Sequence, residues 1–471
     1  MDSSTKKLLS GSAVYFVGNA LTQLISLLLM RFVTGNIEPG EYGFFNLVTT
    51  ISNLAIPFVT LQIADAVFKF VLKSESEEEK KKYFSVCFFV MLISVLLIYA
   101  IVFGISIFYT IPQTFLVATY VASYAVIGIY QKITRCLGQN KVFVTGNLIK
   151  TVIFLSLEII LISTMDMGIE ALLLAHILSL IFAIVYTEVR IHALKFFDFK
   201  ALSPAVFMRM MRFSIPLIPN AVFWWLTSSV NSVIVSARLG MDVNGIYSVS
   251  GKFTSVLVMV TSVLNMSWQD TAIADYGTES FGKFLTKTFN TFVKLIFSAI
   301  AVLIPFIAII LPYMIAPTYY DAIPYTPFLM LASGASSMSG FMAQIFVGKG
   351  KTNSVLITSI FGMIANILVI VLLVDKIGLW AAVFGSLAAD VVLFGSRTFM
   401  ARKEFAKGIE YGRFLIIAAM TTVGIILYLN GKPLYNIIWF VISAIIAIIL
   451  NKQFVCDMFN LLFGRFIKKK G

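Results

Sequence analysis

An all-α polytopic membrane protein is the fold class this sequence predicts, and three observations carry the prediction. Hydrophobic residues make up 59% of the 471 and charged residues only 13%, whereas soluble domains carry roughly 25% charged residues. Mean hydropathy is +0.93. Apolar runs of about 20 residues, the length a helix needs to cross a bilayer, recur along the whole chain. With 43 Phe and so few charges, too little polar surface exists to cover a water-soluble globule. A secreted disulfide scaffold, a disordered chain and a soluble enzyme are excluded on the same grounds.

The runs give about 14 transmembrane helices, at 9–32, 42–68, 83–108, 113–134, 143–163, 169–189, 213–237, 245–267, 289–315, 324–346, 354–374, 377–397, 413–430 and 435–454. The fifth carries Lys150 and Glu158. The seventh carries Asn220, Asn231 and two prolines, Pro216 and Pro219, which should bend it. The first is too long for a signal-peptide core and is followed by a charged turn rather than a cleavage site, so it is expected to remain in the mature protein. The last two are short, and a twelve-span alternative stays open.

Orientation follows from the loops. Of the 36 Lys and Arg, only Arg31, Arg238, Lys376 and Lys432 fall on the outer side when both termini are cytoplasmic. Lys150, Lys252 and Lys294 lie within spans, and the rest are inside. Cytoplasmic loops collect Lys and Arg, so this bias fixes the topology and also accounts for the net charge of +13 without nucleic acid. The acidic stretch 75–79 beside Lys80, Lys81 and Lys82 is expected to be a solvated inner loop. The outer loops are short, leaving no room for an external catalytic domain. In the inner connection 190–212, Ser203-Pro204 reads as a helix N-cap with Pro at the first position. Phe207, Met210 and Met211 follow at helical spacing, predicting an amphipathic helix on the inner leaflet.

A weak internal repeat divides the chain. A long helix containing Gly18-Asn19 reaches Arg31, turns, and restarts at Gly40-Glu41-Tyr42. Later, a long helix containing Pro219-Asn220 reaches Arg238, turns, and restarts at Gly245-Ile246-Tyr247. Six spans per half, an even number, make this a parallel repeat about the membrane normal. The domain reading is an N-terminal six-helix lobe (1–189), a cytoplasmic linker with an amphipathic helix (190–212), a C-terminal six-helix lobe (213–397), and two extra C-terminal helices with a basic tail (398–471).

The residues at these landmarks resemble a family. Leu9-Ser10-Gly11-Ser12-Ala13-Val14-Tyr15 with Gly18-Asn19, Pro39-Gly40-Glu41-Tyr42-Gly43, Phe213-Ser214-Ile215-Pro216-Leu217-Ile218-Pro219, and the stretch from Gly245-Ile246-Tyr247 to Ser250-Gly251-Lys252 are similar to Wzx-type oligosaccharide flippases. Those proteins form the polysaccharide branch of the multidrug/oligosaccharidyl-lipid/polysaccharide exporter superfamily. The resemblance implies two six-helix lobes around a central cavity. It also implies translocation of a polyprenyl-pyrophosphate-linked oligosaccharide from the inner to the outer leaflet of a bacterial cytoplasmic membrane, for capsule, O-antigen or teichoic-acid-type polymers. A polysaccharide polymerase and glycosyltransferases are the implied partners, beside membrane lipids. Relatives often carry an acid midway along the seventh helix; here Asn231 stands there, so no ion-coupling role transfers to it.

Charges inside a membrane cost about 2.5–3.5 kcal/mol on insertion scales and therefore face a cavity or a partner. Arg31, Arg238, Lys252 and Lys150 are the candidates for holding the substrate pyrophosphate. Lys252 is the sharpest, because Ser248, Ser250, Gly251 and Ser255 surround it in sequence; its bland alternative is neutralisation of an acid on a neighbouring helix. Asp390, Glu158 and Asp65 are candidates for ion coupling. Against these stand structural readings: a Lys150–Glu158 role in pairing helices, an i,i+4 pair of Asp65 with Lys69, and snorkelling of Lys294 to the interface. Trp224 and Trp225 read as packing or lipid-facing residues before sugar platforms. A small-residue face at Gly334, Ser336, Ser337 and Ser339 reads as close helix packing.

Cys87, Cys136 and Cys456 lie in or beside apolar runs and predict no disulfide framework. His176 and His192 have too few companions for a metal site. No nucleophile elbow, phosphate-binding loop or zinc motif is present, so the expectation is a transporter that is not an enzyme, with no cofactor, no metal and no catalytic residue. A membrane polymerase or glycosyltransferase would need a loop bearing catalytic carboxylates. The alternatives within the superfamily are a multidrug/cation antiporter, which favours acids in the cavity, and a peptidoglycan lipid II flippase.

Overall fold

A computed structural model describes residues 27, 29–74, 76–165, 167–278, 280–349, 351–406, 408 and 410–452. Among them the secondary structure is entirely helical. Eleven helices are long and apolar enough to cross a membrane. The chain is therefore a multi-pass membrane protein. The eleven correspond to eleven of the fourteen predicted spans. The run 9–32 lies mostly outside the described residues. The runs 213–237 and 245–267 form helices too polar or too short to join the set, because Asn, Ser, Thr and Gln interrupt their apolar residues.

Two compact units divide the described chain, one built from Phe32–Gly245 and the other from Leu27–Arg31 with the residues from Ile246 onward. In the first unit, α1 (Met30–Asn36) straddles the boundary and leads to α2 (Pro39–Val59) and α3 (Ile63–Lys73). Helices α4 (Glu77–Phe108), α5 (Thr114–Cys136), α6 (Asn140–Met165) and α7 (Ile169–Ile191) follow. Two short 3₁₀ turns, Ala193–Phe196 and Phe199–Ala201, precede α8 (Pro204–Ser214) and α9 (Ile218–Leu239). Helix α6 packs on α7, α7 on α5, α5 on α4 and α3, and α9 on α2.

The predicted span 42–68 is not one helix. Leu61 and Gln62 take left-handed φ values of 51° and 53°, a conformation that costs non-glycine residues about 1–2 kcal/mol each. The break separates α2, which contains Pro57, from α3. The stretch 77–82 is not a loop either: Glu77, Glu78 and Glu79 form the first turn of α4, where carboxylates complement the helix dipole. Lys80 and Lys82 pair with Glu77 and Glu78 at 2.7 and 2.9 Å. Such exposed pairs contribute little stability, but they keep the charged turn in helical register.

The linker is tied to this turn. Lys81 pairs with Asp198 at 2.8 Å, and the Asp198 amide donates to the Ser85 hydroxyl at 2.9 Å. Lys81, together with the Lys200 amide, holds the Asp198 carboxyl below the usual carboxylate range. Helix α8 begins at Pro204 as the sequence predicts, although Ser203 makes no side-chain capping bond. Its buried Met210 and Met211 face α3 and α4, on which it packs.

In the second unit, α10 (Met241–Lys252) begins in the first unit and ends in this one. It is followed by α11 (Thr254–Asp275), α12 (Phe281–Met314), a 3₁₀ segment Pro317–Tyr325, α13 (Thr326–Gly348), α14 (Thr352–Ile377), α15 (Trp380–Met400), α16 (Tyr411–Leu429) and α17 (Pro433–Leu450). Helix α15 packs on α14 and α13, and α13 on α11. Both α16 and α17 pack against α12, so the last two helices flank one long helix of this unit. Cys456 and the basic tail lie outside the described residues.

Candidate substrate-handling site

The glycines of the repeat landmarks bring helices into contact inside the first unit. A Cβ on Gly43 would lie 1.9 Å from the Met241 carbonyl oxygen, and one on Gly245 would lie 1.9 Å from that of Pro39. The starts of α2 and α10 therefore cross backbone to backbone. Polar side chains complete the crossing: the Asn244 amide donates to the Gly43 carbonyl at 2.9 Å, the Ser232 hydroxyl donates to Asn244 Oδ1 at 2.7 Å, and Asn46 donates to Ser232 at 2.7 Å. One turn along, the Trp225 indole donates to the Thr50 carbonyl at 2.7 Å. Buried amides and hydroxyls are costly unless satisfied, and here they satisfy one another.

The four candidate cations are distributed over the units. Lys150, half-buried on α6, and Arg238, exposed in the last turn of α9, belong to the first unit. Arg31 and Lys252 belong to the second. The Arg31 guanidinium donates to the carbonyl of Ile315, the residue that ends α12, so its charge meets the negative end of a helix dipole.

Lys252 is not inside a continuous span. It is the last residue of α10, separated from α11 by Phe253 alone, which keeps right-handed helical backbone angles. The hydroxyls of Thr254 and Ser255 donate to the carbonyls of Gly251 and Lys252 at 2.7 and 2.6 Å. These bonds occupy carbonyls that the helix end leaves without helical partners. The Ser250 hydroxyl donates to the Ala322 carbonyl at 3.1 Å, anchoring the turn while Lys252 stays exposed. Ser and Thr beside this lysine were legible in the sequence; that they cap an interrupted helix was not.

The candidate acids divide differently. Asp65 pairs with Lys132 of α5 at 2.5 Å, not with Lys69, whose ammonium lies 3.7 Å from the Phe213 ring centroid. Glu158 is buried in α6. Asp390 is half-buried on α15, bonded to Ser336 and within electrostatic reach of Arg397.

Arg397 is the charge that the sequence reading underweighted. It is 5% exposed, and it donates to Thr358 at 3.1 Å, to the carbonyl and hydroxyl of Ser339 at 2.9 and 2.7 Å, and to Ser359 at 2.9 Å. Ser339 of the predicted small-residue face thus holds a buried cation, and Ser336 of the same face bonds Asp390. Lys294 does not simply snorkel; it pairs with Glu410 at 3.1 Å.

Two further features escaped the sequence reading. An aromatic cluster surrounds His176, with Phe154, Phe45 and Tyr120 ring centroids at 3.9, 5.0 and 5.7 Å. An apolar cavity of about 270 Å³ is lined by Phe58, Ile218, Pro219, Val222, Phe223 and Leu226, where α2 ends and α9 begins. Both assemble residues far apart in the chain, and no local spacing signals them. Among the described residues no cluster of His, Cys, Asp and Glu could hold a metal.

Interrupted membrane helices with polar crossings define a polytopic helical membrane protein, and its fold is similar to solved structures of that class. The fold is similar to lipid II flippase MurJ in an inward closed conformation, at TM-score 0.69 and 14% identity, over 96% of this chain and 99% of that one. It is also similar to an inward-facing multidrug resistance MATE family transporter of the MOP superfamily, at TM-score 0.65 and 14% identity, over 86% and 99%. A family profile described as polysaccharide biosynthesis protein matches residues 8–273. The chain belongs to that family. No curated protein sequence matches it.

Proposed function

We propose that the protein is a flippase that moves polyprenyl-pyrophosphate-linked oligosaccharide units from the inner to the outer leaflet of a bacterial cytoplasmic membrane, with both termini cytoplasmic. The observation that carries this reading is membership of the polysaccharide biosynthesis family in a chain whose fold is that of MOP-superfamily transporters. The physical task is to take a sugar chain and a dianionic head through hydrocarbon, where polar groups lose their water. In this reading a hydrated path between six-helix lobes removes most of that cost, and Arg31, Arg238, Lys252 and Lys150 supply cations to the pyrophosphate. Asp390, Glu158 and Asp65 are the proposed places for an ion coupled to the cycle. The sugar-lipid arrives from glycosyltransferases and is consumed by a polymerase on the far side.

A second reading is a multidrug/cation antiporter, which the likeness to the MATE fold favours; a lipid II flippase is its counterpart from the likeness to MurJ. A strain lacking the protein separates them. The flippase reading expects loss of surface polysaccharide with lipid-linked repeat units accumulating on the inner leaflet. Unaltered polysaccharide with heightened sensitivity to cationic drugs would replace it with the antiporter.

A further inference from the structure

A basic, aromatic-floored surface lies where α3 packs on α5, apart from the four cations proposed above. On α3, Asp65, Phe68 and Lys69 recur at helical spacing and share a face; on α5, Lys132 and Arg135 are three residues apart. The Phe68 ring lies between the two basic groups of α5, 5.8 Å from the Lys132 ammonium and 5.4 Å from the Arg135 guanidinium carbon. Phe143, just inside α6, approaches the same guanidinium at 5.9 Å. Lys69 stands over Phe213 at 3.7 Å. Three cations and three rings thus line this surface, and among the described residues Asp65 is paired with Lys132 at 2.5 Å.

Arg135 is exposed, and among the described residues its guanidinium meets aromatic faces and no carboxylate. Cation–π contacts orient such groups without neutralising them. The Asp65–Lys132 pair is about one-third exposed on both sides, and pairs so open to solvent are weak. An incoming dianion can displace Asp65 from Lys132 because it offers more charge and more acceptor oxygens. Arg135, planar and always charged, suits bidentate phosphate contact. The rings beside the cations offer apolar surface to whatever hydrocarbon adjoins the phosphate.

We infer that Lys132 and Arg135, floored by Phe68 and with Lys69 alongside, form a docking site for the diphosphate head of a prenyl lipid, with Asp65 as the latch that holds Lys132 while the site is empty. The inference rests on the flippase reading and adds to it a loading site between the first turns of α3 and the last turn of α5, separate from the translocation cations. The α3 helix that carries half of it begins at the left-handed break of Leu61 and Gln62.

The test is titration of the purified full-length protein in detergent with geranylgeranyl diphosphate, and in a parallel arm with inorganic pyrophosphate, alongside thermal melts. Lys132→Gln and Arg135→Gln should each weaken geranylgeranyl diphosphate binding about tenfold, the loss of one charge-assisted contact. Asp65→Asn should tighten it by about two- to fivefold, the worth of a released exposed pair. Lys432→Gln, which removes a cation from the Tyr435 ring, should change nothing. Weak pyrophosphate binding assigns the site to the lipid, and equal binding of both assigns it to free diphosphate. Unchanged affinity in both Gln variants, or an Asp65→Asn protein that melts lower and binds no better, would overturn the site by marking the pair as structural. If lipid-linked sugar still moves in reconstituted vesicles, only the docking site fails; if the wild type moves none, the flippase reading itself fails.

Discussion

At the scale of single residues, the charges inside the helices fall into two physical situations. Arg397 is buried and fully engaged by hydroxyls and a carbonyl, and Lys294 is paired with Glu410; their work is accounted for within the helices. Lys252 is exposed at the end of an interrupted helix. A cation there gains about 0.3–1 kcal/mol from the helix dipole, less than the 1.5–3 kcal/mol of a charge-assisted contact to phosphate. Lys252→Ala should therefore weaken binding of a prenyl-diphosphate oligosaccharide by about ten- to a hundredfold with little change in melting temperature. Lys252→Arg should keep part of the affinity and Lys252→Glu none. Titration of the three purified variants checks this. A lowered melting temperature with unchanged affinity would make Lys252 the neutraliser of an acid on a neighbouring helix. The sequence showed that Lys252 sits among small hydroxyl residues, because that is local. It did not show that Asp65 meets Lys132 rather than Lys69, because tertiary packing of α3 on α5 overrides the i,i+4 geometry of a single helix.

At the scale of elements, legibility followed length and apolarity. Runs such as 83–108 and 289–315 became α4 and α12 because nothing but a helix satisfies the backbone in hydrocarbon. The interruptions were illegible. Leu61 and Gln62 are not turn formers, and Phe253 carries no sign of a break, so only the packing of their neighbours reveals them. The repeat glycines were seen as landmarks, yet their physical reason, the α2–α10 crossing, needs coordinates. That reason gives a prediction. A side chain at Gly245 would meet the Pro39 carbonyl at 1.9 Å, contact with backbone that no rotamer relieves, so Gly245→Val should destabilise by about 1–3 kcal/mol or more. Gly35→Ala, with open space at its Cβ, serves as the control and should lose only the little that surface changes cost. Melting and monodispersity of the detergent-solubilised variants report it, and a Gly245→Val protein as stable as the control would refute the tight crossing.

At the scale of the whole molecule, composition sufficed for the class, since 59% hydrophobic residues leave no soluble solution, and the landmark residues sufficed for the family. The number of spans was less legible, because polar helices such as α9 and α11 weaken the hydropathy signal where Asn, Ser and Thr accumulate. The proposed function is translocation of a lipid-linked oligosaccharide. The direct measurement uses the purified full-length protein reconstituted into vesicles with a fluorescently labelled prenyl-pyrophosphate oligosaccharide in both leaflets, under an imposed ion gradient, with a membrane-impermeant quencher added outside. With a working flippase, quenching proceeds past the outer-leaflet pool until the inner pool is drained. A plateau at the outer-leaflet pool, identical to that of protein-free vesicles, would contradict it.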